Sequence, residues 1–494
     1  MNRVMLIYPP GKPYQRGEDR AQSNIDQSAT ASVHACNDLG YCASILREEY
    51  DVFLHDYQTE NNSFSDLIND VYEFDPDLIF ISTTNATIFE DLSILKEIRK
   101  NNSCLFVLKG SLFYNPNLNS LKSLDLSIVS CCIGGEVEFI IKPVIDALLK
   151  KSGLLEDIPG ILYQKKGQWL KSKFDCWNID LDSLPFPARD LMNNSIYIRP
   201  DTGEPLATIS VSRGCPSNCI YCLTPIISGR NVRKRAVENV FREIEECYYK
   251  FGIKNFFFKA DTFTIDEEYA IAICDRILNS ELKGKIEFTV NSRVKPLSMN
   301  LLEKLKESGC FAIAVGFESG SEETLKRIKK GTTVDDNVNA SRLIRSSGIQ
   351  LLGFFMIGFP WENKENIKKT IEHIFKIKPD FMELHIAMPY YGTELFESCK
   401  KHGTLSNISF GFDYYCPNTI GTKTVDLKQL EKIKNKTLLS FYLRPGYIVK
   451  RLFLSLNKPK VFLNYIKKGL HLLKNCLLGE RYVSRKNNLD NRGK

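Results

Sequence analysis

The chain of 494 residues predicts an α/β protein with two successive parallel sheets and a mainly helical end. Three observations carry that expectation. Short apolar runs alternate with helical stretches over residues 1–155, and the same alternation returns over 201–390, which makes parallel strands with crossover helices the economical arrangement. Residues 156–200, with their prolines and polar turns, read as a linker with one hairpin. Beyond residue 390 the strand-like runs give way to helical periodicity with many lysines, so 391–494 is expected to be mainly helical.

The first run opens with the apolar strand Val4 to Tyr8, stopped by Pro9-Pro10-Gly11, and the polar stretch from Lys12 to Gln27 reads as a loop. Leu39 to Glu48 is expected as a helix, Asp51 to Asp56 as a strand, and Ser63 to Tyr72 as a helix. Leu78 to Ser82 follows as a strand after the turn at Asp75-Pro76-Asp77. Glu90 to Lys100 is helical, Cys104 to Leu108 a strand, Leu126 to Ser130 a short strand, and Val137 to Lys150 a helix beyond Gly134-Gly135. In an open sheet of this kind ligands sit at the carboxyl ends of the strands. The linker hairpin pairs Ile161–Tyr163 with Trp169–Leu170 across Lys165-Lys166-Gly167-Gln168, and Leu181 to Asp190, with two prolines, reads as extended.

The second run has six strand-to-helix units. Its strands are Ala207–Ser212, Asn255–Phe258, Ile286–Asn291, Ala312–Phe317, Gln350–Ile357 and Phe381–Ile386, each ending in Gly or polar residues. The first helix is expected to begin between Arg233 and Ala236. Gly411 to Pro417 is aromatic and reads as a cover for the sheet's end, where Phe412, Tyr414 and Tyr415 offer an apolar substrate surface or simply domain packing. The tail from Tyr447 to Leu478 mixes Leu, Ile, Phe and Tyr with Lys.

Composition narrows the function. The 43% hydrophobic and 25% charged content is that of a globular chain, and no run of about 18 apolar residues is present to span a membrane. Fifteen cysteines without a secretory leader point to a reducing, cytoplasmic setting. The net charge of +7 resides in the tail, where twelve Lys and Arg face only Glu480 and Asp490 after Pro445. That distribution gives no support to nucleic-acid binding by the body of the protein. The tail helix has two readings: lying on an anionic bilayer through residues 447–478, or packing on the body with its lysines in water.

The chemistry is carried by Gly214-Cys215-Pro216-Ser217-Asn218-Cys219-Ile220-Tyr221-Cys222. Three thiolates within eight residues can hold three irons of a [4Fe–4S] cube and leave the fourth iron open to another ligand. No nearby fourth Cys or His supports a closed four-ligand zinc site. The spacing of Cys215, Cys219 and Cys222, with Tyr221 before the last, resembles the radical S-adenosylmethionine (SAM) superfamily. Coupled to the first run, through Pro9-Pro10, the Asp75–Ser82 stretch and Gly134-Gly135-Glu136, it resembles the cobalamin-dependent enzymes of that superfamily.

The resemblance implies a Rossmann-like cobalamin-binding domain (1–155), the linker (156–200), a partial (β/α)₆ radical SAM barrel (201–390) and the helical C-terminal region (391–494). It implies a [4Fe–4S] cluster on the three cysteines, SAM near Tyr221, Asp261, Arg293, Glu318 and Gly358, and cobalamin near Pro9, Pro10, Ser82, Thr83, Gly110, Gly134, Gly135 and Glu136. Glu318 lies in Gly316-Phe317-Glu318-Ser319-Gly320, and Gly358 in Gly358-Phe359-Pro360. Plainer readings stand beside these: Asp261 as a cap, Arg293 as an ion-pair partner, the glycines as turns. His385 is a candidate on the substrate side or a core histidine. The implied reaction is methylation of an unactivated carbon, less readily phosphorus, of a small or lipid-like substrate through a 5′-deoxyadenosyl radical and methylcobalamin, with a flavodoxin or ferredoxin as reductant. The alternatives are a cobalamin-dependent radical oxidoreductase or cyclase without methyl transfer, and a non-catalytic iron–sulfur or corrinoid electron-transfer protein.

Overall fold

The structure is a computed structural model that describes residues 1–16, 33–114, 116, 118–174, 177, 180–407, 410–412, 417–455 and 459–478. Most of the expected loop Lys12–Gln27, and Tyr414 and Tyr415, lie outside the described residues.

Seven strands make the first sheet: β1 (Arg3–Tyr8), β2 (Asp51–Asp56), β3 (Leu78–Ser82), β4 (Leu105–Lys109), β5 (Cys131–Ile133), β6 (Ile161–Lys165) and β7 (Gln168–Lys171). Their spatial order is β2-β1-β3-β4-β5-β6-β7, parallel through β5 and antiparallel beyond it. Central strands read as unbroken apolar runs because both faces are covered. In β1, Val4, Leu6 and Tyr8 pack into one core with Leu39 and Ile141, while Met5 and Ile7 face a second core with Leu67 and Leu92. The expected strand at Leu126–Ser130 is a turn, and the pairing residues are Cys131–Ile133. Leu126 and Val129 are buried as loop side chains under the sheet, so their apolar character reports burial and not ladder formation. The 161–171 hairpin extends this sheet across β5.

The second sheet is built from β8 (Leu206–Ser210), then, after the short antiparallel pair β9 (Ser212–Arg213) and β10 (Arg233–Lys234), from β11 (Asn255–Lys259), β12 (Glu287–Ser292), β13 (Cys310–Glu318), β14 (Gln350–Ile357) and β15 (Phe381–Ile386). All six principal strands are parallel, in the order β15-β14-β13-β12-β11-β8. Helices 237–251, 267–278, 299–307, 334–346 and 364–377 connect them. Side-chain caps start several of these: Ser298 on Leu301, Thr333 on Asp336 and Asn363 on Asn366 each satisfy otherwise unpaired helix N–H groups. The first of these helices starts at Val237, because Arg233 and Lys234 pair with β9 instead. Helices 394–402, 427–442, 445–455 and 459–478 follow, and no helix among the described residues is long and apolar enough to cross a membrane.

Candidate functional site

The cysteine loop is closed at its base by the β9–β10 pair, so Cys215, Cys219 and Cys222 lie on one bridged excursion at the carboxyl end of β8. Gly214 enters it at φ +93°, and a Cβ there would stand 2.0 Å from the carbonyl oxygen of Asn231, so the close approach of the loop's two ends requires glycine. The Gly214 amide donates to Asp261, whose other oxygen accepts from the Thr224 hydroxyl at 3.1 Å. Thr224 in turn closes on Cys222, its amide donating to Sγ at 3.4 Å. Asp261 therefore braces the loop from the end of β11. It is neither a helix cap nor aimed away from the cysteines.

Cys215 and Cys219 are buried, Cys222 is half-buried, and none of the three is in a disulfide. Among the described residues no three His, Cys, Asp or Glu side chains are placed to hold a single metal ion. A cube makes a different demand, since each thiolate takes its own iron. The donor chemistry of three soft sulfurs on one loop fits it, and Arg293, directly after β12, brings Nη1 to 3.4 Å from Cys219 Sγ. The second guanidinium nitrogen of Arg293 donates to the Lys330 carbonyl.

Glu318, the last residue of β13, adopts φ +63°, a left-handed conformation uncommon for a side chain of its size and concentrated at sites under functional constraint. Its Oε1 accepts from Lys330 Nζ at 2.6 Å, and both side chains are buried. Lys330 also stands 3.4 Å from the Tyr221 hydroxyl, which links the pair to the cysteine loop. Burial, then the charge of Glu318, pushes the Tyr221 phenol well above its ordinary value. Gly316 makes room: a Cβ there would lie 2.4 Å from Glu318 Oε1 and 2.9 Å from Lys330 Nζ.

After β14 the chain turns at Gly358, φ +89°, and the Gly358 and Phe359 amides donate to Glu362 at 2.7 and 3.2 Å. Phe359 stacks on Trp361 and lies 6.3 Å, centroid to centroid, from Tyr221. Glu318, Arg293, Tyr221 and the Gly358 turn are thus gathered around the cysteine loop. His385 lies near the carboxyl end of β15 against Phe354, and burial lowers its imidazole to about 4, so it is neutral near pH 7.

At the first sheet's carboxyl ends, Pro9 is buried and Pro10 half-buried where β1 stops. The Thr83 hydroxyl is bound to Asp91, itself clasped by buried Arg16. The Ser82 hydroxyl is fully buried and has no partner among the described residues. A Cβ at Gly110 would meet the Thr83 carbonyl at 2.8 Å and one at Gly134 the Phe113 carbonyl at 2.3 Å, so both glycines permit backbone-to-backbone packing beneath this edge. Lys109, Gly134 and Gly135 nevertheless line one cavity together with Ser210, Thr224 and Asp261. The strand ends of both sheets therefore meet beside the cysteine loop. Glu136 lines the same cavity with its carboxylate engaged: it takes a two-pronged pair from Arg233 at 2.7 and 2.8 Å, while neighbouring Glu138 pairs with Arg213 at 2.7 Å. The four buried charges tie the first sheet's last parallel unit to both strands at the base of the cysteine loop. The unpartnered Ser82 hydroxyl at a strand end and the Gly135 turn lining the cavity suit the hydrogen-bonding periphery of a corrinoid; the Gly110 and Gly134 amides are already bonded to the Ile133 and Gly160 carbonyls, and Glu136 lines the cavity with its carboxylate held by Arg233.

Sequence reasoning missed Lys330, Glu362, Arg213 and Arg233. Gly316-Phe317-Glu318 was the available signal for Lys330, because a buried carboxylate at a strand end calls for a cation; the other three left none.

Residues 209–374 match the model of the radical SAM superfamily. An uncharacterized methyltransferase of Pyrococcus horikoshii is 32% identical over 418 residues, 84% of this chain and 89% of that one. The anaerobic magnesium-protoporphyrin IX monomethyl ester cyclase of Cereibacter sphaeroides is 24% identical over 371 residues, 73% of this chain and 59% of the relative. Among solved structures, the cobalamin-dependent SAM radical enzyme OxsB, with aqua-cobalamin and SAM bound, aligns with a TM-score of 0.71 at 18% identity over 97% of this chain and 72% of that one. The radical SAM methyltransferase TsrM from Kitasatospora setae, with cobalamin and a [4Fe–4S] cluster, aligns at 0.60 and 16% identity, covering 78% and 72%. With the cysteine loop and second sheet inside the matched family segment, and a 32%-identical relative aligned along most of both chains, this chain belongs to the radical SAM superfamily and has the two-sheet fold of its solved cobalamin-dependent members.

Proposed function

We propose that this chain is an enzyme that performs radical chemistry on a substrate bound between a [4Fe–4S] cluster on Cys215, Cys219 and Cys222 and a cobalamin at the carboxyl ends of β1, β3, β4 and β5. The observation that carries the reading is the cavity where Lys109, Gly134 and Gly135 of the first sheet face Ser210, Thr224 and Asp261 beside the cysteine loop. The six parallel strands of the second sheet are read as a partial (β/α)₆ barrel whose rim receives SAM. When bound, the cluster supplies an electron for reductive cleavage of SAM, and cobalamin supplies one-electron or methyl-carrying chemistry at cobalt.

The protein's part is placement and exclusion of water. Lys330, a buried cation 3.4 Å from Tyr221, is positioned to meet the carboxylate of SAM, with Glu318 holding its ammonium and offering oxygens to ribose hydroxyls. The Gly358–Phe359 turn offers backbone and a ring face to adenine. Arg293 covers Cys219 and lowers the cost of its negative charge. Asp261 is assigned to bracing the cysteine loop, since both its oxygens are used there. His385, neutral and packed on Phe354, is kept on the substrate side with no proton-transfer role.

Radical oxidation or cyclisation without methyl transfer is the better-supported outcome. The Cereibacter cyclase aligns over 73% of this chain and the 4'-phospho-dehydrooxetanocin synthase of Priestia megaterium over 68%, and neither is named for methyl transfer. Methyl transfer is the second reading, favoured by the name of the Pyrococcus relative and by the cytidylyl-2-hydroxyethylphosphonate methyltransferase of Streptomyces wedmorensis, 26% identical over 238 residues. The test is anaerobic reconstitution with cluster, cobalamin, a flavodoxin or ferredoxin reductant and methyl-labelled SAM, against small and lipid-like candidate substrates. Deoxyadenosine with an altered, unlabelled product supports the first reading; label in the product selects the second. A fully reconstituted protein that leaves SAM intact overturns both and returns the electron-transfer alternative.

A further inference from the structure

We propose that the last two helices, 445–455 and 459–478, form a docking surface for an anionic lipid bilayer. Each helix has an inner face engaged with the body. Arg451 is buried, donates to Asp380 at 2.8 Å and lies over the Phe381 ring. Val461 is buried, Tyr465 packs on Phe381 with ring centroids 6.1 Å apart, and Asn464 donates to the Asp201 carbonyl at 3.0 Å.

The outer faces are apolar. Val449, Leu452 and Phe453 lie at i, i+3, i+4 on one helix, and Leu463, Ile466 and Leu470 at i, i+3, i+7 on the next. All six are exposed, Phe453 at 73% and Leu470 at 62%. More than half of the large hydrophobic side chains exposed among the described residues belong to residues 443–470, a density that marks an interaction surface.

Charge identifies the occupant. Between Pro445 and Leu478 there is no Asp or Glu, while Lys460, Lys467 and Lys474 are exposed beside the apolar stripes. Apolar stripes on helices that carry exposed cations and no acid of their own match an interface of acyl chains and anionic headgroups. A second copy of the chain would bring the same sign of charge to the same face, and a nucleic acid would leave the stripes uncovered. Neither helix is fitted to span the bilayer, so both lie in its surface. Their anchors at Asp380 and Phe381 belong to the amino end of β15, whereas the cysteine loop is at the carboxyl ends, so docking and SAM chemistry are separable.

The test is flotation of the full-length, reconstituted protein with vesicles of phosphatidylcholine alone and of phosphatidylcholine mixed with phosphatidylglycerol. The expected result is flotation with the mixed vesicles only, weakened by added salt. Phe453→Asp/Leu470→Asp should lower partitioning about tenfold or more, and Lys467→Glu/Lys474→Glu by at least about tenfold, with SAM cleavage and thermal melts unchanged. Failure of the wild type to float, equal flotation with neutral vesicles, flotation of the aspartate variant like wild type, or its conversion of a dimer to a monomer would each overturn the proposal.

Discussion

Glu362 offers a sharp test of the geometry around the Gly358 turn. Its side chain is fully buried, with one oxygen accepting the Gly358 and Phe359 amides at 2.7 and 3.2 Å and the other the Thr324 hydroxyl at 3.0 Å. Burial raises its pKa from 4.5 to about 7 against the pull of those three hydrogen bonds. The folded state thus binds the proton more tightly than the unfolded chain. Its contribution to stability is fully present below about pH 4.5 and is lost as pH rises through about 7. At 1.36 kcal/mol per unit, that change is about 3 kcal/mol. In Glu362→Gln the amide oxygen can accept both backbone N–H groups while the NH₂ faces the Thr324 hydroxyl, which turns to accept. The variant should match wild type near pH 4.5, exceed it above pH 7, and show a flattened profile between. Glu362→Ala leaves buried donors unpaired at about 1–3 kcal/mol each and should be destabilised at every pH. Urea melts from pH 4.5 to 8, followed by the fluorescence of Trp361 stacked on Phe359, measure both. A Glu362→Gln profile running parallel to wild type across that window would refute the reasoning.

Other substitutions separate the parts of the site. Cys219→Ala should lose iron and abolish deoxyadenosine formation; a variant that keeps a complete cluster and cleaves SAM would sink the cluster assignment. Gly214→Ala places a Cβ 2.0 Å from the Asn231 carbonyl, so iron binding should fall while far-ultraviolet dichroism stays near wild type. Arg233→Ala leaves buried Glu136 with only Arg213, at 3.4 Å, and should cost up to about 3 kcal/mol in denaturant unfolding, whereas adding Glu136→Ala should recover part of the loss. Lys330→Ala should weaken SAM binding, measured by calorimetry, about tenfold or more, with partial recovery in Lys330→Arg; unchanged affinity would remove Lys330 from the SAM site.

Local sequence was sufficient where the physics is local. β1, β3 and β4 announce themselves because strands buried on both faces need continuous apolar runs, and Asp75-Pro76-Asp77 sets where β3 begins. Leu126–Ser130 misled because a buried loop and a buried strand present the same composition, and ladder pairing leaves no mark on residue type. Asp261 stood out in the sequence as an acid at a strand end but not as the brace of a loop 47 residues earlier. Lys330 lies in the run Arg327-Ile328-Lys329-Lys330, whose charge reads as a solvated turn until β13 delivers Glu318 beside it.

The residue order by itself determined the alternation that builds two sheets and the close spacing of the three thiols, because hydrophobic periodicity and ligand spacing are properties of neighbouring residues. Tertiary structure alone decided that Glu136, placed at a strand end where a ligand is expected, instead clasps Arg233 some 97 positions away, and that Glu318 acquires a buried lysine. Buried charges are stable only when paired, and which charges meet depends on how the two sheets come together beside the cysteine loop.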